Sequence, residues 1–332
     1  MRTLLVTNGE IVAASLAEIR PEAQIADWQI VAWNDILHDG PVPGGLDAAG
    51  LRAVRAGYLG ATYAEAGRDV AGELARRDAA IEGHAAFDRV ELWFEHDLAD
   101  QLQLLQVLDA FDRAGRRDDV AQLRAGFHLG PLAPARLGEL ADKLVPVQAE
   151  SFAAAGVAWA AFRAPTPAPL AEAASAALPG LPYAPRALRR ALEELPRPGD
   201  GLSRTELQIL YSIGRGVDRV GPLFARVLAM EEAALLGDLG FFRTLSELAF
   251  ARPPLVTGLP EPFAPAVIAD GDRRKAFVGA GLKLTAAGRD VLAGTTDRVQ
   301  LIGLDRWLGG THVTPATAWR FDSEAALLIE PS

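Results

Sequence analysis

The sequence contains no cysteine, and only three of its 33 basic residues are lysine: Lys143, Lys275 and Lys283. The absence of cysteine excludes disulfide bonds and thiolate metal sites, and it fits a reducing compartment. The N-terminal apolar run is too short for a secretory signal. No stretch approaches the roughly 18 apolar residues that a membrane span needs. We therefore expect a cytoplasmic protein without membrane contact.

Positive charge is also in short supply, because the 332 residues carry a net charge of -10. A net negative charge argues against broad binding to nucleic acids or anionic membranes, although a local basic patch is not excluded. The chain is 50% hydrophobic and 23% charged, which is ordinary globular composition. Its length allows two domains with full cores.

Short apolar runs alternate with segments of helical period in the first half of the chain. Runs at 3–6, 29–33 and 89–94 predict strands, a weaker run covers 120–127, and helical segments follow them. This alternation predicts an α/β domain over residues 1–165, with a Rossmann-like parallel sheet and helices on both faces. Residues 166–200 are rich in proline and predict a linker with a helix.

The second half, residues 201–332, has a different pattern. Ser203 and Glu206 form a capping-box motif, and helices are predicted over 223–236 and 239–250. A strand at 282–285 and a helix over 286–293 complete a mainly α, winged-helix-like domain. Acidic and basic residues balance between 200 and 322, so DNA binding is disfavoured and packing or dimerisation is preferred.

Polar residues follow three of the predicted strands. They are Thr7, Asn8 and Gly9 after the first strand, Asp35 after the second, and Glu95, His96 and Asp97 after the third. The carboxyl ends of parallel strands meet at one edge of an open sheet, where ligands bind. We therefore expect these side chains to form one site.

The residue types indicate acid–base chemistry. His38 and His96 are the predicted acid and base, Asp35 and Asp97 orient them, and Glu95 completes the catalytic set. Thr7, Asn8 and Gly9 hold an anion at the start of the first helix, or Asn8 only caps that helix. Asp39 and Gln101 are expected to assist ligand binding. His84 and His128 have no clustered partners in the sequence and are expected to be structural or surface residues.

The segment 305–312 contains further candidate ligand contacts, Arg306 and His312. Gly309 and Gly310 would let its backbone approach another element closely. The simpler interpretation is a terminal β-hairpin with Trp307 in the core. The alternative is a hairpin that closes over the site in the first domain.

The sequence lacks the motifs of several common enzyme classes. The sequence has no G-x-G-x-x-G fingerprint for a dinucleotide, no H-E-x-x-H metal motif and no G-x-S-x-G nucleophile elbow. Histidine and carboxylate ligands nevertheless suit zinc, manganese or magnesium, so a divalent metal is left open.

The chain resembles a bacterial family known only as domain of unknown function 1835. The resemblance rests on TNGE at 7–10, WNDILHDGPV at 33–42 and LWFEHDLADQL at 92–102, with LTAAG at 284–288 and DRWLGG at 305–310. It supports these residues as the site and implies no reaction.

Two functions fit these patterns. The first is a hydrolase or transferase that acts on a small anionic ligand, phosphorylated or nucleotide-like. The second is a metabolite-sensing regulator, in which the α/β domain binds the ligand and the winged-helix-like module contacts DNA or a protein. A homodimer is left open for both.

Overall fold

A five-stranded sheet forms the centre of the first domain in the computed structural model, which describes residues 1–19, 27–233 and 236–331. The strands are β1 (Thr3–Thr7), β2 (Trp28–Ala32), β3 (Arg89–Phe94), β4 (Val120–Arg124) and β5 (Val145–Pro146). Their order is β2-β1-β3-β4-β5. The first four strands are parallel and β5 is antiparallel to β4. The prediction of a mixed α/β fold with a mostly parallel sheet is confirmed.

Helices cover both faces of this sheet. They are α1 (Glu10–Glu18), α2 (Ala48–Thr62), α3 (Val70–Glu82), α4 (Leu98–Arg113), α5 (Pro134–Leu140), α6 (Ala149–Phe162), α7 (Ala168–Ser175) and α8 (Ala184–Leu192). Successive side chains of β1 point to opposite faces, as strand geometry requires. Leu4 and Val6 join the core under α4, α6 and α8, whereas Leu5 joins the core under α1 and α5.

Residues 166–200, predicted as a proline-rich linker and helix, form the packed helices α7 and α8. Leu170, Leu181 and Leu188 are buried in the same hydrophobic cluster as β1 and β3. Proline stands in the first turn of each helix, where it has no hydrogen bond to break. The prolines therefore mark helix starts, and the apolar residues between them belong to the first core.

The next hundred residues build a second, mainly helical core. Its helices are α9 (Arg204–Gly214), α10 (Val220–Leu228), α11 (Asp238–Phe250), α12 (Pro265–Ala269), α13 (Gly271–Val278), α14 (Ala286–Leu292) and α15 (Arg298–Ile302). The strands β6 (Val256–Thr257) and β7 (Lys283–Leu284) pair antiparallel. The capping box of Ser203 and Glu206 is present. The helix predicted over 223–236 ends at Leu228, and positions 234 and 235 lie outside the described residues.

The last thirty residues return to the first domain. They form two hairpins, β8 (Arg306–Leu308) with β9 (Thr311–Val313), and β10 (Arg320–Asp322) with β11 (Leu327–Ile329). Leu308, Val313 and Phe321 are buried in the first core. The Val42 amide donates to the Gly309 carbonyl at 2.7 Å, and the Gly310 amide donates to the Phe162 carbonyl at 3.0 Å. The predicted close approach of this glycine pair is thus found, although Trp307 is only half-buried.

A membrane crossing would need a long apolar helix. Within residues 1–19, 27–233 and 236–331, no helix combines that length with that apolar character.

The docking of the β8–β9 hairpin gives a first prediction. A Cβ at Gly310 would lie 2.0 Å from the Arg163 carbonyl oxygen, so we expect Gly310→Ala to destabilise the protein by about 1–3 kcal/mol. Gly57→Ala is the control, because no atom lies within 4 Å of its new Cβ. Thermal unfolding followed by circular dichroism measures both variants. Equal melting temperatures for wild type and Gly310→Ala would contradict the docking.

Candidate functional site

The carboxyl ends of β1 to β4 lie along one edge of the sheet. Thr7 pairs with Ala32 on one side and with Trp93 on the other, and Phe94 pairs with Arg124. The chain leaves β1 in one direction to reach β2, and β3 lies on the opposite side of β1. This change of direction is the place where open α/β sheets bind ligands.

Glu95, the first residue after β3, is fixed on both carboxylate oxygens. Its Oε1 accepts hydrogen bonds from the amides of Leu129 at 2.6 Å and Gly130 at 3.4 Å. Its Oε2 lies 2.5 Å from Nδ1 of His128. The Gln101 amide group donates to the Glu95 carbonyl at 2.6 Å. Glu95 therefore joins the end of β3 to the loop after β4 and holds a histidine in place.

The sequence predicts His128 to be a structural or surface residue without clustered partners, but the structure places it against Glu95. Its ring contacts Glu95 and is 40% exposed. The sequence did contain a signal for His128, because the weak strand predicted over 120–127 ends directly before this residue. The rule that selected Glu95 from the end of β3 would have selected His128 from the end of β4. Glu95, His96, Asp97 and His128 are called the strand-end cluster below.

Asp97 caps helix α4, as its position before the helical pattern suggested. Its Oδ1 accepts from the Asp100 amide at 3.0 Å, and its Oδ2 lies 3.8 Å from Nδ1 of His128. Burial, reinforced by the negative charge of Glu95, raises the pKa of Asp97 to about 6. Asp97 thus caps a helix and also carries a carboxyl group whose pKa lies near neutral pH.

His96 stands beside His128. Their ring centroids are 5.1 Å apart, and the Tyr183 ring is 6.1 Å from His96. Burial and the nearby His128 lower the pKa of His96, so its ring is mainly neutral at pH 7. No side chain in the described part of the protein hydrogen-bonds its buried Nδ1.

A cavity of about 530 Å³ opens beside His96 and Asp97. Its opposite wall comes from α8 and the segments after it, with arginine and glutamate side chains alternating. Arg190 is paired with Glu194 at 2.7 Å and Glu231 at 2.8 Å. Arg186 pairs with Glu232, and both side chains are exposed, so that pair is easily displaced.

The strand-end cluster also offers a set of metal ligands. Glu95, Asp97 and His128 each present one ligand atom within 4.8 Å of the others. Two ligands about 2.0–2.1 Å from a tetrahedral ion lie about 3.3 Å apart. The separation of 2.5 Å between Glu95 and His128 is shorter and is that of a hydrogen bond. A bound metal would have to open this pair.

Asp100 ties the first strand to the site. Its Oδ1 accepts from the Glu95 amide at 2.7 Å, and its Oδ2 accepts from Nδ2 of Asn8 at 2.5 Å. Burial and the carboxylates of Asp97 and Glu95 raise the pKa of Asp100 well above its usual range. Gln103 donates to Oδ1 of Asn8 at 3.1 Å.

The predicted anion-binding turn at the end of β1 is therefore used in structural contacts. Asn8 is hydrogen-bonded to α4 through both side-chain atoms, and Oγ1 of Thr7 donates to the Trp93 carbonyl at 2.8 Å. Gly9 has a φ of 73°, which allows the sharp turn into α1. Binding of an anion at this turn stays a prediction.

The structure places Asp35 in a buried ion pair. Its carboxylate accepts from Arg55 at 2.7 Å and lies 3.5 Å from Arg77. Arg55 is fully buried and also donates to the carbonyls of Ile36 and Asp39. These contacts fix the loop after β2, and none of them orients a histidine.

His38 and His96 line separate cavities. His38 lines a narrow space of about 50 Å³, together with Arg243 and Trp307. Burial lowers the pKa of His38, and its buried Nδ1 has no hydrogen-bond partner among the described residues. Asp39 pairs with Arg243 of α11 at 2.5 Å. Although burial alone would raise its pKa, the Arg243 guanidinium holds the pKa of Asp39 below its usual value.

The two candidate contacts from the C-terminal segment lie on the His38 side of the protein. Arg306 pairs with the buried Glu206 at 2.9 Å and lines the narrow cavity. His312 pairs with Asp305 at 2.7 Å and stacks on Trp307 with ring centroids 4.5 Å apart. The β8–β9 hairpin packs on the first domain without lining the cavity beside His96.

Comparisons of the chain with protein-family models and with curated proteins gave no match. The resemblance to domain of unknown function 1835 therefore stays a prediction. Function is inferred below from the geometry of the strand-end cluster.

The raised pKa of Asp97 gives a pH prediction. A carboxyl group whose pKa is higher in the folded state stabilises the protein most below its ordinary pKa of 3.8, and this stabilisation is lost as pH rises through 6. Asn still caps a helix but does not ionise. From pH 4.5 to pH 7.5, Asp97→Asn should therefore gain on the order of 2 kcal/mol relative to wild type.

The measurement is the difference in melting temperature between Asp97→Asn and wild type, in EDTA at both pH values. We expect this difference to shift by about 2–4 °C in favour of the variant at the higher pH. A difference that is independent of pH would show that Asp97 ionises normally.

Removal of the Asp35 carboxylate tests the buried ion pair. Asp35→Asn leaves the fully buried Arg55 without its counter-ion, and we expect a loss of about 3–5 kcal/mol. Glu73→Gln is the matched control, since it removes an exposed partner of Arg68 and should cost about 1 kcal/mol or less. Urea unfolding compares the two. A loss as small as the control's would mean that Asp35 carries no structural charge pair.

Proposed function

We propose that the chain is an enzyme of the hydrolase or transferase class that uses acid–base catalysis at the strand-end cluster. The observation that carries the proposal is the hydrogen bond of 2.5 Å between Glu95 and His128. A carboxylate held by two backbone amides orients the imidazole through Nδ1, which leaves Nε2 to accept a proton. This is the arrangement of a general base and its orienting group.

His96 is the proposed partner in proton transfer. Its ring lies 5.1 Å from His128 and lines the same cavity as Asp97. The ring is mainly neutral at pH 7, and the lowered pKa makes its minor protonated form a strong enough acid to donate to a leaving group. In this mechanism His128 takes a proton from water or a substrate hydroxyl, and His96 returns one to the departing oxygen.

The proposed substrate is a small anionic molecule, phosphorylated or nucleotide-like. The cavity of about 530 Å³ is of the size that small ligands occupy. Arg186 is exposed at its wall and pairs with the exposed Glu232. An anionic group on the substrate would replace that glutamate and gain a charge-assisted hydrogen bond.

The other predicted catalytic residues have no step in this proposal. His38 faces a different cavity, and Asp35 is held by Arg55. Gln101 supports Glu95 from behind through its backbone carbonyl. It is therefore proposed as a positioning residue.

Metal-assisted hydrolysis at the same cluster is the second candidate. It is favoured by the three converging ligand atoms of Glu95, Asp97 and His128. A divalent ion there would lower the pKa of a bound water and supply the nucleophile. Dependence of turnover on added Mn²⁺ or Zn²⁺, and its loss in EDTA, separates this candidate from metal-free acid–base catalysis.

The experiment is an assay of p-nitrophenyl phosphate mono- and diesters, in EDTA and with each metal. We expect His128→Asn and Glu95→Gln to lower kcat/KM by about 10²–10⁴-fold, the usual contribution of general acid–base groups. His84→Asn is the control, because His84 precedes β3 at the opposite end of the sheet. Turnover that survives in both cluster variants would refute the assignment.

The fold relationships are proposals as well. We propose that the first domain is Rossmann-like and that residues 201–332 form the winged-helix-like domain. This is supported by three helices before β6, the antiparallel pairing of β6 with β7, and a helix after β7, with α12 and α13 inserted between the two strands. A regulatory role through DNA is the weaker alternative. Gly240, Arg243 and Glu247 of α11, the longest helix of the proposed winged-helix-like part, line the narrow cavity beside His38 and are not free to contact DNA.

A further inference from the structure

A second cavity lies away from the strand-end cluster, between the α2–α3 pair and the helices α4 and α6. Its volume is about 410 Å³. Asp97 starts α4 and Asp109 lines this cavity, so the two places are about 18 Å apart along the helix axis. No step proposed for the strand-end cluster uses this cavity.

Arg163, which lines this cavity, differs from the other deeply buried arginines. Arg55, Arg77 and Arg298 each have a carboxylate within salt-bridge distance. Arg163 is only 7% exposed, and no carboxylate in the described part of the chain pairs with it. It is thus a buried cation without a counter-ion.

The hydrogen bonds of Arg163 occupy some of its guanidinium donors, but their acceptors are neutral carbonyl groups that do not balance its positive charge. Nε and Nη2 donate to the Pro43 carbonyl at 3.1 and 2.8 Å, and Nη2 also donates to the Leu46 carbonyl at 3.2 Å. Asp109 of α4 acts on Arg163 electrostatically but is itself engaged with Arg113 at 3.0 Å. Burial of an unpaired charge is costly unless a partner of opposite sign arrives.

The rest of the wall is mixed, with apolar side chains and charged ones such as Asp78, which pairs with Arg52 and Arg77. Leu51, Ile81 and Ala110 come from three different helices, and Trp159 lies under the Arg163 guanidinium at 5.5 Å. Arg113, which is 64% exposed, stands at the rim. Arg163 differs from the other buried arginines of this wall, Arg55 and Arg77, because both of these pair with Asp35. A cavity with apolar side chains and one buried cation that lacks a carboxylate partner fits a small-ligand site in which a charged contact fixes orientation.

We propose that this cavity binds a small organic anion with an apolar body. The anionic group pairs with Arg163, the apolar body lies on Leu51, Ile81 and Ala110, and Arg113 adds charge at the entrance. The ligand thereby supplies the counter-ion that the folded chain does not provide.

Two dyes with one aromatic body test the proposal. 8-Anilinonaphthalene-1-sulfonate carries the anion, and N-phenyl-1-naphthylamine lacks it; the fluorescence of each is titrated against the full-length protein. We expect the sulfonate to bind with one-site saturation. Arg163→Gln should weaken its binding roughly tenfold or more, because a charged hydrogen bond is lost, and should leave the neutral dye unchanged.

Two further variants keep the test decisive if Arg163→Gln fails to fold. Arg113→Gln at the exposed rim should weaken the sulfonate about two- to fivefold. Ala110→Phe fills the cavity and should abolish binding of both dyes. Arg136→Gln, an exposed arginine on α5, is the control and should change neither. Failure of the sulfonate to bind, or equal binding by wild type, Arg113→Gln and Ala110→Phe, would overturn the proposal.

Discussion

The carboxylate of Asp100 is the contact on which the strand-end site depends. It is 1% exposed and accepts from the amide of Glu95 and the side chain of Asn8, so one helix holds the ends of β1 and β3 in register. Glu95 then reaches across to the loop after β4 and holds His128. Burial of so many acidic groups is tolerated because amides at the start of α4 and after β4 satisfy their oxygens. The acidic side chains of the site are therefore positioned by contacts within the protein itself.

Buried charges are also neutralised by partners where the two halves of the chain meet. Charged side chains at this boundary are paired across it, as Asp39 and Arg243 show. Within the second half, Glu206 is shared by Arg298 and Arg306. Such buried pairs add little net stability but penalise any other arrangement, because each broken pair leaves a buried charge. They specify how the helical half sits on the α/β half.

The sequence predicted those features that depend on the local pattern of residues. β1 is fully buried and β3 is buried from Val90 to Phe94, so both are largely apolar runs that are easy to find, and the polar residues after them follow directly from that pattern. Partners distant in sequence could not be predicted. Nothing near Asp35 indicates that Arg55 will neutralise it, because that contact depends on how α2 packs. The prolines of residues 166–200 led to the prediction of a linker, because composition does not distinguish a proline at a helix start from a proline in a loop.

The return of the β8–β9 and β10–β11 hairpins to the first domain has a consequence for synthesis. The α/β sheet is complete by Pro146, yet Leu308, Val313 and Phe321 belong to its core. That core cannot close until nearly the whole chain has left the ribosome. During the interval its uncovered apolar surface is open to chaperones or to aggregation. The strands of the sheet are thus synthesised well before the hairpins that complete its hydrophobic core.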